Sequence, residues 1–436
     1  MKKFFQEIRM YPRHLMLYVK ALGKWLIVSV SVGVLCGLLG SAFHIGVERA
    51  TLFRESHSWV IYTLPAAGLL AVGIYRMLHA EGLGTNNILS EIQEGKGISP
   101  LLLPAIFLPT VLTHLAGGSA GREGAALQMG GSIGYWTGKI LRLDDRDLRT
   151  VTMTGMAAFF SALFGTPLAA TLFSMGVVSV GLLYHAAFIP CFTASLTSYG
   201  ISLLLGVEPT HFSVTVPGLQ PAMLARVAVL AACCGVLSVL FCETLHFTEA
   251  QLHRLIKNSW LRAFLGGAAL LGLTLLVRCG DYNGAGMGII TRAVEQGEAK
   301  PAAFLWKIIF TAITLAVGFK GGEGVPSFFV GATFGCVLGP ALGISAGFAA
   351  AVGLIAVFCG AVNCPVASIF LAIELFGADG MLYYALACGL SFVLSGYSGL
   401  YSSQRILYDK LKAQFIDVHT NAHHEGESTE MSRRFS

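Results

Sequence analysis

The chain reads as an all-α polytopic membrane protein. It is expected to contain two structurally repeated halves, inverted relative to each other, with broken, re-entrant helices. Three observations lead there. Hydrophobic residues are 55% of the 436 and charged residues only 12%, and the mean hydropathy is +0.69; a soluble domain carries about 25% charged residues. Glycine accounts for 52 positions, well above the usual ~7%, and close helix approach and broken helices in membranes both use it. Three segments recur in the same order in the two halves of the chain. Together these exclude a soluble globular enzyme, a disordered chain and a nucleic-acid-binding domain.

The net charge of +5 is unevenly placed. Residues 1–24 form a basic segment with Lys2, Lys3, Arg9, Arg13, Lys20 and Lys24 against one acid, Glu7. The positive-inside rule puts this end in the cytoplasm of a multi-pass cell-membrane protein. No short apolar stretch precedes a cleavage site, so no secretory signal is expected. The first apolar run, 25–47, is long enough to span a bilayer. The runs 150–207 and 324–373 carry no charge over 58 and 50 residues, so each must hold two or more membrane segments. Residues 25–205 are assigned to the first transmembrane repeat and 206–405 to the second. The polar stretch 406–436 is too short for a soluble domain and is read as a cytoplasmic tail. The ten cysteines show no CxxC spacing and mostly lie in apolar runs. They read as small hydrophobes, with neither a disulfide frame nor a metal site, and no cofactor is expected.

The repeat is visible in three blocks. GLGTNNILSEIQEG at 82–95 resembles GAGMGIITRAVEQG at 284–297, and GREGA at 121–125 lines up with GGEGV at 321–325. GMAAFFSALFGTPLAATLF at 155–173 aligns without gaps on GLIAVFCGAVNCPVASIFL at 353–371, so Pro167 falls on Pro365. Duplicated halves with glycine-interrupted apolar segments at matching positions point to a transporter with its site near the midplane.

Four segments carry candidate chemistry. In 82–91, Gly84, Thr85, Asn86 and Asn87 open a short helix whose first amides suit an anion; an ordinary capped interfacial loop is the plain alternative. In 117–131, Arg122 and Glu123 stand between long uncharged runs, with Gly121 and Gly124 beside them. A charge deep in a bilayer costs at least ~3 kcal/mol on insertion scales, which makes it a functional candidate. Glu123 can carry a proton, and as an anion it can occupy an anion site itself. A purely structural Arg122–Glu123 pair is disfavoured because adjacent helix residues face apart. In 318–331, Glu323 opens an uncharged run, and Gly322, Gly324 and Val325 offer backbone amides. Phe328 and Phe329 can line the site with positive ring edges, or simply pack. In 395–401, Tyr397 and Tyr401 can present hydroxyls, though interfacial tyrosines are common.

At these residues the chain resembles the CLC anion channels and proton-coupled anion transporters, over roughly 20–410. GREGA at 121–125 is similar to the family's GREGP, where the glutamate is the external gate, and this implies that Glu123 is the gate. The family's first motif, GSGIP, falls at 82–88, and its third, GxFxP, at 322–326, here GEGVP. By resemblance Tyr401 matches the tyrosine that closes the anion site from inside. The internal proton glutamate of the family falls at Val177. A bacterial branch exporting fluoride in exchange for protons has an Asn in its altered first motif, lacks that internal glutamate, and carries a glutamate in the third motif, GGEVTP. Thr85 followed by Asn86, and Glu323, fit that branch, whereas Gly324-Val325 replaces its valine-threonine. The resemblance implies fluoride export coupled to proton entry through a homodimer with one pore per subunit. A chloride channel or chloride/proton antiporter of the same family is the alternative. Implied partners are a small anion, protons and the lipid bilayer, with no nucleic acid.

Two motifs compete with this reading. GGSAG at 117–121 matches a G-x-S-x-G nucleophile elbow around Ser119, but that motif needs a strand before it. His246, Glu249 and His253 share one helix face and are read as a solvated face before a metal site.

Overall fold

Charged joints and proline-led starts cut the apolar chain into many helices rather than a few long ones. The computed structural model describes residues 2–412 and 414–421, with side chains from residue 15 onward outside position 413. The first half contains α1 (Lys2–Ser56), α2 (Leu64–Met77), α3 (Thr85–Glu94), α4 (Leu102–Ala116), α5 (Glu123–Ile140), α6 (Asp145–Phe164), α7 (Pro167–Gly176) and α8 (Phe188–Leu204). The second contains α9 (Pro221–Leu255), α10 (Ser259–Val277), α11 (Met287–Thr291), α12 (Ala303–Ala316), α13 (Gly324–Leu338), α14 (Ala346–Val362), α15 (Pro365–Phe376) and α16 (Met381–Leu394). Pro167 and Pro365 begin matched helices, as a proline with no N–H to leave unpaired can. Asp144 caps α6 by accepting from the Asp147 amide at 2.8 Å, and Asn258 caps α10.

The packing repeats with the sequence. Helix α1 packs on α4, α6 and α8, and α9 packs on the corresponding α12, α14 and α16. The most extensive pairs are α5 with α6 and α13 with α14. Matched helices also meet across the halves: α2 with α10, α5 with α13, α7 with α15. Gly121 and Gly322 pair as an antiparallel bridge, Gly121 N to Gly322 O at 2.7 Å and the reverse at 2.9 Å. Equivalent segments of two halves running antiparallel are what a two-fold relation between them requires. The molecule is therefore helical with repeated halves, as expected.

Five helical stretches among the described residues are long and apolar enough to cross a bilayer: Leu15–Ser56, Ser58–Met77, His185–Leu204, Pro221–Leu255 and Ser259–Val277. Their large apolar side chains face outward, Ile27, Leu70, Leu204, Val236 and Leu276 among them. The shorter helices are sequestered inside, with α5, α6, α13 and α14 buried along most of their lengths. The uncharged run 150–207 holds three helices, one of which, α7, has only ten residues. All ten cysteines are free thiols and most are buried, as small hydrophobes would be.

Helical periodicity did not foretell a small sheet. β1 (Ser179–Val180) runs parallel to β2 (Arg405–Tyr408), which pairs antiparallel with β3 (Phe415–His419). Arg405 and Asp417 clamp the last two strands at 2.9 and 2.5 Å. The polar stretch after 405 thus folds back onto the helical body as far as Asn421; its remainder, 422–436, lies outside the described residues.

Candidate functional site

The centre of the molecule is the crossing of two glycine-rich loops, 117–122 before α5 and 318–323 before α13. Without side chains on Gly121 and Gly322 the two backbones can bridge directly. The space left beside them is filled by the Glu123 carboxylate, because a Cβ on Gly121, Gly322 or Gly324 would collide with it. That carboxylate is 2% exposed. It accepts from the Arg122 amide at 3.0 Å and from the Gly324 amide, and the Val325 amide is also directed at it. Among the described residues it makes no ion pair. A buried carboxylate thus sits on the amide end of α13, where helix dipole and unpaired N–H groups favour negative charge. Its neighbour Arg122 turns away: Nη1 donates to His44 Nδ1 at 3.0 Å and the guanidinium lies 5.3 Å from the Phe164 ring centroid.

Beside the crossing lies a cavity of about 580 Å³ whose lining includes Gly84, Thr85, Asn86, Gln128, Glu323 and Tyr401. Glu323 caps α13. Its Oε2 lies 3.5 Å from where a Cβ on Gly124 would stand, which places it directly inside the Glu123 crossing. The Tyr401 hydroxyl is buried with no hydrogen-bond partner among the described residues. Both Glu123 and Glu323 act on it electrostatically. His246, Glu249, His253, Lys320 and Arg262 line the outer wall. Hence the face of α9 read as solvated borders this cavity, and among the described residues no three His, Cys, Asp or Glu side chains are grouped to hold a metal.

Gly84, Thr85 and Asn86 do come together as the start of α3. Asn87 Oδ1 accepts from the Gly84 amide at 2.7 Å and fixes that start. Asn86 is committed elsewhere: Nδ2 donates to Ser402 Oγ at 2.9 Å and Oδ1 accepts from Ser403 N at 3.1 Å. The two phenylalanines diverge. Phe328 packs edge-on against Phe358 at 4.9 Å, whereas Phe329 faces Tyr282 at 6.3 Å and the Lys307 ammonium at 5.1 Å, off the cavity. Tyr397 is tied to Asp409 at 2.5 Å. The Ser119 hydroxyl meets Thr311 Oγ1 at 3.0 Å, a partner that is no general base.

Sequence reasoning passed over Gln128 and Lys320. Gln128 is the first polar side chain in the uncharged run 124–138, which was the signal available. Its Nε2 donates to Thr85 Oγ1 at 3.0 Å. Lys320 precedes the glycine pair and lies 4.0 Å from the Tyr75 ring centroid.

The family model for the voltage gated chloride channel matches residues 67–396. The chain belongs to the CLC family. A chloride/fluoride channel protein of Pseudomonas syringae pv. tomato is 38% identical over 401 residues, covering 89% of this chain and 88% of that protein. The H(+)/Cl(−) exchange transporter ClcA of Vibrio vulnificus is 27% identical over 91% of this chain and 93% of its own length. Among solved structures, a CLC-type fluoride/proton antiporter superposes with a TM-score of 0.84 at 32% identity, covering 88% of this chain and 98% of that one. A slow cyanobacterial Cl−/H+ antiporter shares the fold at a TM-score of 0.73 and 20% identity. In this chain the glutamate of GREGA, Glu123, stands where the Gly121 and Gly322 backbones bridge.

Proposed function

We propose that this CLC protein exports fluoride in exchange for protons and is not an enzyme. One observation carries the reading: a buried carboxylate, Glu123, fills the amide end of α13 and makes no ion pair among the described residues. A group held only by amide hydrogens is a stand-in for a free anion. Protonation weakens its hold on the amides of Arg122 and Gly324, the side chain leaves, and an anion takes the same donors. When the side chain returns it has carried a proton in the opposite sense. Gly121, Gly124 and Gly322 leave the room for this exchange, and Arg122 anchors the loop through His44.

Glu323, on the cavity side of the crossing, passes the proton onward in place of the internal acid that Val177 replaces. Thr85, Tyr401 and the backbone at Gly84 receive the anion in the cavity, and the Val325 amide receives it at the position Glu123 vacates. Asn86 acts indirectly, by holding the 402–403 backbone. Neither Phe328 nor Phe329 lines the cavity; Phe328 packs α13 against Phe358 on α14, and Phe329 packs it against Tyr282 and Lys307. Fluoride is small and tightly hydrated, so its site must replace water with several short, oriented donors. The hydroxyls and amides here meet that demand. Names of relatives and solved neighbours that mention fluoride support the same choice.

A second reading is chloride transport, favoured by Gly324-Val325, which puts no hydroxyl at that point of the third motif. The protein is further proposed to act as a homodimer with both termini in the cytoplasm. Reconstituted in proteoliposomes under a fluoride gradient, it is expected to release fluoride while taking up protons, recorded with a fluoride electrode and a pH electrode together. Chloride efflux as fast as fluoride efflux removes the selectivity claim, and anion efflux without proton movement makes it a channel.

A further inference from the structure

Gln128 and Thr85 come from separate elements, α5 and α3, and meet only at the cavity wall. Gln128 is 6% exposed, yet its Oε1 has no hydrogen-bond partner among the described residues. A buried amide oxygen left unpaired is destabilising unless a ligand or donor visits it. The Tyr401 hydroxyl, unpartnered and buried in the same lining, repeats the pattern. Two unsatisfied buried polar groups on residues that line one cavity call for an explanation, and a polar occupant of that cavity supplies one.

We infer that Gln128 is a positioning residue for anion selectivity, locking the Thr85 hydroxyl so that the pair always presents a donor hydrogen to the cavity. This rests on the anion-exchange reading above. The chemistry is independent of which way the amide faces. With Nε2 donating to Thr85 Oγ1 at 3.0 Å, the threonine's lone pair is used and its own hydrogen is free for the anion. With the amide turned by 180°, the threonine donates to Oε1 and the Nε2 hydrogens face the cavity instead. In both cases the bond holds the Thr85 oxygen beside Gln128 and leaves one donor hydrogen of the pair for the cavity. The free Oε1 in the first case accepts from a proton-bearing visitor, such as a donor hydroxyl or hydrogen fluoride, so the pair can serve both species exchanged. A small anion with a tight hydration shell needs such a fixed donor more than a large, weakly hydrated one does, so the pair discriminates between halides.

The test uses full-length protein in proteoliposomes, with fluoride and chloride fluxes measured separately. Gln128→Met keeps the length of the side chain and removes both polar atoms. It is expected to slow fluoride flux about tenfold, the worth of one charge-assisted hydrogen bond, while chloride flux changes less than about threefold. Thr85→Val should reproduce that fall in the fluoride-to-chloride ratio. The double variant should be no worse than either single one, because the two residues supply one interaction. Equal slowing of both ions, an unchanged ratio, or additive losses in the double variant overturns the inference. If Gln128→Met does not fold, Thr85→Val and Thr85→Ser decide: only the variant that keeps a hydroxyl should keep the ratio. Wild-type protein that exchanges no anion sinks the functional reading itself, whereas normal wild-type exchange with an unchanged ratio in the variants sinks only this inference.

Discussion

Among the described residues the Glu123 carboxylate is held by backbone hydrogens, and that decides what its replacement does. Glu123→Gln keeps the shape but turns an amide NH₂ or a single carbonyl toward donors that previously shared two carboxylate oxygens. One set of donors then faces donors, and the side chain has no proton to shuttle. Transport is expected to stop or to lose its proton movement, read as fluoride flux without pH change in proteoliposomes; unchanged coupling refutes the gating role. Glu123 was legible in the sequence because an acid between long uncharged runs is costly and has to have a use. The neighbouring phenylalanines were not. α13 is buried on nearly all sides, so its hydrophobic pattern has no phase. Nothing in the one-dimensional sequence says that Phe328 turns to Phe358 and Phe329 to Lys307. Lys307 is fully buried, with Nζ donating to the Gly284 carbonyl at 2.7 Å, a contact between residues that sequence spacing does not link.

At the scale of elements, glycine does the joining. Gly155 on α6 faces Gly130 and Gly134 on α5 so closely that a Cβ there would strike the Gly130 carbonyl and the Gly134 amide. The matched Gly353 on α14 meets the Gly331 carbonyl on α13 in the same way. These contacts set the distance between α5 and α6 and between α13 and α14, and so the position of the two loops that cross before α5 and α13. The glycine excess was plain in the composition, but its pairing was not, since the partners lie about one helix apart in sequence with no local signal. Gly155→Leu is expected to push α5 and α6 apart and cost about 1–3 kcal/mol or more. This reads as a lowered melting temperature and early aggregation of the detergent-purified protein. Gly272 on α10 is the control: nothing lies within 4 Å of its Cβ position, so Gly272→Ala should leave the melting temperature within a degree or two or raise it slightly. Equal melting temperatures for the two variants refute the close-packing argument.

The molecule as a whole is two copies of one helical order, and the repeat was readable because three blocks recur with nearly constant offset. The broken helices were harder to read. Ten-residue α7 and α3 fall below the length at which hydropathy recognises a span, and the short sheet that joins 179–180 to the strands after residue 404 has no periodic run long enough to announce it. That sheet matters because distant parts of the chain converge on the loop that carries Tyr401. Asn86, from the first half, binds Ser402 and Ser403. Gln404 Nε2 donates to the Val177 and Val362 carbonyls at 2.9 and 3.0 Å, one from each half. From the tail, Thr420 Oγ1 donates to the Tyr401 carbonyl at 2.5 Å, and Asn421 exchanges bonds with Gly399 at 2.8 and 3.0 Å. A loop pinned from three directions keeps the Tyr401 hydroxyl over the cavity. If, as proposed, the anion passes Tyr401, that end of its path depends on contacts far from any ion. Each such bond is worth about 1 kcal/mol net, so removing those of Asn86 and Asn421 together should loosen the loop without unfolding the buried helices. In the double variant Asn86→Ala/Asn421→Ala, fluoride flux is expected to persist while the protons moved per fluoride fall, with the melting temperature lowered only slightly. A proton-to-fluoride ratio equal to that of the wild type would show that Tyr401 closes the path by itself, independent of how its loop is tied.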